Sequence, residues 1–305
     1  MATARGFDAE LAQLESLRDA DPVSTEAPLR TALAHRNNFI VAKAAKLAAA
    51  HDHRSLTDAL VAAFDRFLDN GVKSDPQCWA KNAIVETLIS FDYQEPELFL
   101  AGLRLIQLEP TWGGSSDTAG TLRGHCAIGL VQCRSLTNAQ VLTHLLPLFA
   151  DKQLSVRVNA ARAVEQIGTD ASILLLRLRA ELASDEPELL GACYSGVLRL
   201  EGPSAIPWAA RFLQPEKPDD TAAEAAFAIA ETRTEAAATL LIATHKRTRD
   251  PDFRGTLLAA LALTRQPAAI DFLFDQIADG SKAAREALEN SAPSNEVLER
   301  LRTLH

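Results

Sequence analysis

The chain is poor in the residues and motifs that announce chemistry. Its 305 residues include one methionine, two tyrosines, three tryptophans and four cysteines. No HExxH pair, Ser-His-Asp order or phosphate-cradling glycine loop is present, and Gly113-Gly114 alone is not such a loop. No stretch of about eighteen apolar residues occurs, so no membrane-spanning helix is expected. The opening MATARGFDAELAQLESLRDA is acidic and amphipathic rather than a signal peptide, which points to a cytoplasmic protein. Positive charge is scarce too. With 31 basic against 40 acidic residues, the net charge is −9 and the pI near 5.3. Nucleic acid and anionic membranes need a basic face, so neither is expected as a partner.

The four cysteines, Cys78, Cys126, Cys133 and Cys193, lack the short spacing of structural zinc sites. Cys126 and Cys193 fall on a small core position, and all four read as buried hydrophobes of a reducing compartment. His51 and His53 sit in a short HDH connector that reads as a solvated turn. Neither a metal nor any other cofactor is expected.

What the chain has is alanine, leucine and a period. Hydrophobic residues make up 47% and aromatics only 6%, and alanine and leucine are strong helix formers. In Asp151 to Gly168, Val156, Ala160, Ala163, Val164 and Ile167 share one helical face. Leu122-Arg123-x-x-Cys126-Ala127 precedes Val156-Arg157-x-x-Ala160-Ala161 by 34 positions. The pattern returns 33 further on at Leu189, then 32 on at Thr221 and 32 again at Phe253. A period in the thirties carrying two helices is the mark of a helical solenoid. Expected helices include Phe7–Ala20, one opened by Pro28, Asn38–Ala50, Ser55–Leu68 with Ser55 and Asp58 in capping order, and one carrying Trp79, Ile84, Val85 and Leu88. Further on come Asn138–Ala150, Asp170–Ala183, Pro203–Leu213, Pro267–Ala278 and a weaker pair over Ser281–Leu304. Loop aspartates are expected to cap helices throughout. Glu109 to Gly120 breaks the rhythm, stretching the spacing of the inner helices to about 42 against the low thirties elsewhere.

A leucine-rich helix, a loop aspartate, Val-Arg and an Ala-Ala…Val…Ile-Gly helix together resemble the HEAT-repeat family, more narrowly the bacterial HEAT-like repeats of phycobilisome-lyase-type proteins. The likeness covers residues 29 to 290 and departs from the family at Pro147 and at the arginine position, which is Leu190, Ala222 and Arg254 later on. The resemblance implies an all-α, right-handed α-α superhelix of seven to eight helix pairs, a single HEAT/ARM-like solenoid over 1–305. Residues 1–28 would cap it, 29–280 form the repeats with an irregular insert at 107–121, and 281–305 close it. It also implies a non-catalytic scaffold or adaptor holding a protein or peptide on its concave face. A lyase-type or chaperone subunit is the alternative, with Trp79, Trp112, Arg123 and His125 as the groups available near a chromophore. A HEAT-like DNA glycosylase fits less well, given the pI and the scattered tryptophans at 79, 112 and 208.

Two surfaces are candidates for the partner. The first is the insert, where Trp112 lies near Asp117, Arg123 and His125, either as a recognition patch or with Trp112 plugging a gap between helix pairs. The second is the inner-helix face opposite the buried stripe, in three columns. One holds Gly124, Val158, Gly191, Ala223 and Gly255; the next Ile128, Arg162, Ser195, Phe227 and Ala259; the third Val131, Glu165, Leu198, Ala230 and Ala262. These are either packing between neighbouring inner helices or a groove anchored at Ile128, Val131, Leu198 and Phe227, with Arg162 and Glu165 as its charges. The outer helices, with Arg177, Arg179, Glu181 and Arg211, are expected to stay polar.

Overall fold

The computed structural model describes residues 2–182 and 184–303, with the backbone alone for residues 2–6; the expected ends at Ala183 and Leu304 lie outside them. The described chain is helical apart from one two-stranded sheet. Its contacts group into two units, Met1–Ala163 and Val164–His305.

In the first unit the helices are α1 (Ala2–Ser16), α2 (Pro22–Leu33), α3 (Asn38–Ala50), α4 (Thr57–Leu68), the short α5 (Gly71–Ser74), α6 (Trp79–Ser90) and α7 (Pro96–Leu103). The strands β1 (Leu108–Thr111) and β2 (Gly114–Asp117) follow, then α8 (Gly120–Gln132), α9 (Asn138–Leu145) and α10 (Leu154–Ile167), whose last turn belongs to the second unit. An inner row forms as α3 packs on α6 and α6 on α8. An outer row covers it, α2 on α3, α4 on α6, and α7 and α9 on α8. The second unit repeats this plan with α11 (Asp170–Leu182), α12 (Pro187–Glu201), the short α13 (Ile206–Ala209), α14 (Asp220–Glu231), α15 (Glu235–Arg247), α16 (Pro251–Thr264), α17 (Pro267–Ala278), α18 (Lys282–Asn290) and α19 (Asn295–Thr303). There α12, α14, α16 and α18 stack in turn, with α11, α15 and α17 outside them. The inner helices therefore pack on a covering helix and on the inner helix one repeat away, an arrangement consistent with a helical repeat.

Local chemistry explains the boundaries. Asn37 caps α3 through Phe39 N and Ile40 N, Asp219 caps α14 at Ala222 N, and Asp250 caps α16 at Phe253 N. Two expected caps fail. Ser55 is not the N-cap of a helix running from its position; a 3-10 turn at Arg54–Leu56 precedes α4. Asp279 is a C-cap, and Ser281 caps α18 instead. Pro28 does not open a helix either. Asp21 and Pro22 do, and Pro28 sits inside α2. Pro147 and Pro203 end regular α geometry, so Leu146–Ala150 and Gly202–Ala205 are 3-10 turns.

The insert is not irregular. It is an antiparallel hairpin pairing Leu108 with Asp117 and Thr111 with Gly114, closed at Trp112-Gly113 with Gly113 at φ 87°. Its inward side is polar: Gln107 is buried, and Glu109 accepts from Gln77 N, Gln107 Nε2 and Thr118 Oγ1.

Candidate functional site

The N-terminal ends of the first unit's inner helices are tied by aspartates paired with cations six residues on, in Asp75/Lys81 and Asp117/Arg123, while Arg157 donates to the backbone oxygen of Asp151. Lys81 and Asp75 are both fully buried, with Nζ 2.9 Å from Oδ2. Lys81 Nζ also donates to Phe67 O and Gln107 Oε1, and the Asp75 carboxylate accepts from Ala80 N, Lys81 N and Asn38 Nδ2. Arg123 spans two repeats, meeting Asp117 at 2.7 Å and Asp151 at 2.8 Å and donating to Leu105 O. Hydrogen bonds from Gln107 N and Ala119 N and the Arg123 guanidinium together outweigh burial and hold Asp117 below its ordinary range.

This fixes Arg123 as a structural strut. It is 4% exposed and is not part of a recognition patch. His125 is half-buried on α8, and its Nε2 lies 3.5 Å from Glu86 Oε1. Burial lowers its pKa despite that carboxylate. Trp112 is fully exposed at the hairpin tip, so it plugs nothing. It does not lie beside Arg123 or His125 in any ring or charge contact of the described residues.

The three columns separate. Val158, Leu198, Ala230 and Ala262 are each no more than 3% exposed, and Leu198 borders an opening of the second unit with only a small part of its surface. Glycine allows close approach at Gly124 and Gly191, where an added Cβ would lie 2.3 Å from Asn159 Nδ2 and 2.2 Å from Glu224 Oε2. The physical reason is that an inner helix has three neighbours, its partner and one inner helix on either side, so little of its circumference is left for solvent. The free strip is the middle column. In the first unit Ile128 is half-buried and Arg162 exposed, and Val131 is also half-buried; in the second, Ser195, Phe227 and Ala259 are half-buried. Glu165 is half-buried and ion-paired to Arg199 at 3.0 Å.

The outer helices are less polar than expected. Arg177 pairs with Glu201, Arg179 with Asp185 and Arg211 with Glu181, but α11 leaves Leu174, Leu178 and Leu182 more than half exposed.

Ser195 and Leu198 of the columns border, with Arg199, Ala228, Glu231 and Leu263, an opening of about 480 Å³ in the second unit, and a further opening lies at residues the columns did not include. On the inner face of the first unit, Phe39, Ala42, Lys43 and Lys46 of α3, Trp79, Asn82, Ala83 and Glu86 of α6, and Thr121 of α8 line a groove of about 480 Å³. Trp79 is 47% exposed and meets the Phe39 ring at a tilt, 5.5 Å between ring centroids. Lys43 is held by Glu15 at 3.0 Å. Buried Asn82 Oδ1 and His125 Nδ1 accept no hydrogen bond. The sequence did carry a signal. The insert stretches the period to 42, and stepping back that far from Gly124, Ile128 and Arg123 reaches Asn82, Glu86 and Lys81.

Burial pushes the thiols of Cys78 and Cys133 up to about 11 and that of Cys193 to about 12, and raises Cys126 further. Among the described residues, no group of three or more His, Cys, Asp or Glu is placed to hold a metal ion, and His51 and His53 are engaged with Leu17 O and Thr25 Oγ1. No helix of the described residues is long and apolar enough to cross a membrane. No protein-family model matches the chain, and no curated protein matches it.

Proposed function

We propose that the chain is a non-catalytic scaffold or adaptor of the HEAT-repeat kind, cytoplasmic, gripping a protein or peptide partner with its inner helices. In this reading the pairs wind into a right-handed superhelix of seven to eight repeats, and the inner row lines its concave side. The observation that carries it is the groove at Phe39 and Trp79, where a half-exposed indole and a tilted phenyl ring share one inner face. Large aromatics exposed in a concavity are characteristic anchors of protein interfaces. Protonated thiols and a sequestered Arg123 favour binding over chemistry.

The reading is tested by affinity capture from extracts of the source cells with paired variants. Trp79→Ala and Lys46→Glu on the inner face should abolish capture of the main partner while leaving the melting temperature unchanged. Asp65→Lys on the outer face of α4 should not. Capture lost only with the outer substitution would reverse the assignment of faces.

A further inference from the structure

We propose that the start of α6 is a two-state element latched by the hairpin, so that the hairpin governs how Trp79 is presented on the inner face. In the latched state, the one described above, Gln77 and Cys78 are left-handed and α6 begins at Trp79. In the released state both residues turn right-handed, α6 lengthens back to Pro76, and Trp79 leaves its place beside Phe39. The buried Asp75–Lys81 pair is the fixed point of both states. The consequence for binding rests on the inner-face reading above; the two states themselves do not.

Sequence and structure conflict at this helix start. Asp followed by Pro is a local signal for one, since the aspartate caps free N–H groups and proline fits the first helical position. Asp21-Pro22 and Asp250-Pro251 obey it. There α2 begins at Pro22 with Asp21 accepting from Val23 N, and α16 at Pro251 with Asp250 accepting from Phe253 N. Asp75-Pro76 does not. A 3-10 turn occupies Pro76–Cys78, α6 opens only at Trp79, and the Asp75 carboxylate accepts from Ala80 N and Lys81 N instead. A local signal overridden in one place and obeyed in two others marks a strained or functional site.

The strain falls on the residues that would form the first turn. Gln77 and Cys78 are consecutive non-glycine residues at φ 59° and 55°. L-residues adopt that conformation at a cost and keep it only where the surroundings impose it. Lengthening α6 to Pro76 returns both to ordinary helical geometry, so the strain favours release.

The hairpin opposes release. Glu109 Oε1 accepts from Gln77 N at 2.6 Å, and Gln107 Nε2 donates to Asp75 O at 2.9 Å. Its polarity is the reverse of a strand laid on a core. Ile106, Leu108 and Trp112 are more than half exposed, while Gln107 is buried and Glu109 turns inward to Gln77 N and Thr118 Oγ1. Lifting β1 and β2 therefore uncovers little apolar surface, and water can replace the polar bonds that are lost. A strained segment under a polar clamp has two arrangements close in free energy, which is what a switch requires.

The test labels the full-length chain with fluorotryptophan and reads Trp79 by fluorine NMR, with Trp208 of the second unit as the reference. Glu109→Ala removes a charged acceptor from Gln77 N. A second Trp79 signal should then gain roughly tenfold on the first. Adding Cys78→Gly, which leaves the Gln77–Trp79 hydrogen bond in place, should return population to the first signal, because glycine takes the left-handed geometry without the side-chain penalty. Gln77→Gly, at an exposed position, should do the same. A changed environment of the ring alone would not be reversed by either glycine. An unchanged Trp79 spectrum in Glu109→Ala would overturn the latch. A new signal that neither glycine reduces would overturn the two-state start, as would a Trp208 signal that moves with Trp79, the mark of general loosening. The measurement needs no partner, so its failure leaves the inner-face reading to the capture experiment.

Discussion

Replacing Lys81 with methionine isolates the framework behind the groove. Lys81 and Asp75 are both fully buried and 2.9 Å apart. Methionine keeps the stem volume but leaves a buried carboxylate with only N–H donors from Ala80, Lys81 and Asn38. It also strips a donor from Phe67 O and Gln107 Oε1. Breaking a buried pair from one side costs about 3–5 kcal/mol, because the remaining charge is uncompensated. In a helical repeat each element contacts only its neighbours, so the loss should be local. Hydrogen exchange read peptide by peptide is therefore the right assay. Amides of α3, α4 and α6 should exchange about a hundredfold faster or more, while those of α14 to α18 keep their rates. The double variant Asp75→Asn with Lys81→Met should recover most of the protection, since the orphaned charge is gone. A single variant that changes exchange by less than about threefold, or that loosens α14 to α18 equally, would refute the reasoning.

Other consequences are separable. Gly129→Ala drives a Cβ to 2.3 Å from the buried Phe99 ring and should cost about 1–3 kcal/mol in chemical denaturation, whereas Gly255→Ala meets nothing within 4 Å and should stabilise by up to about 1 kcal/mol. His245 is buried, and burial, then Arg254 and Lys246, depress it from 6.5 to about 4. The unfolded chain therefore binds the extra proton, so stability is complete above about pH 6.5 and falls as pH drops towards 4, by no more than about 3 kcal/mol. His245→Leu should flatten that part of the profile. Leu198→Glu should prevent folding while Phe227→Glu, half-buried on the middle column, should shift the melting temperature by only a few degrees; equal effects would place Phe227 in the core too. Trp112→Ala, at a fully exposed hairpin tip, should leave stability within about 0.5 kcal/mol of the parent.

The helical repeat was legible because its signals are local. Asn38–Ala50 and Pro267–Ala278 fall where the periodicity and Pro267 put them. The hairpin was not, because a Gly-rich polar run with a proline carries no strand alternation. Its partners are Gln77 and Gln153, thirty or more residues away in each direction. Helical-wheel arithmetic placed three columns on one face but could not count neighbours, so it could not tell that Val158, Ala230 and Ala262 are buried while Phe227 and Ala259 are half-buried. Arg123 read as a surface group because its two carboxylates come from different loops, Asp117 and Asp151. Of the four residues expected on one helix, Ile84, Val85 and Leu88 are buried and Trp79 is 47% exposed, a split that their shared helix did not reveal. The left-handed turn before Trp79, which sets how α6 begins, has no glycine to reveal it.

The central claim is that a partner lies along the inner helices of the first unit. It is tested most directly by placing a photo-crosslinking amino acid at Thr121, on the inner face, or at Asp65, on the outer, and irradiating the full chain in extracts of the source cells. The account predicts a discrete adduct from Thr121 that disappears in Trp79→Ala and no adduct from Asp65. An adduct from Asp65 with none from Thr121 would contradict it.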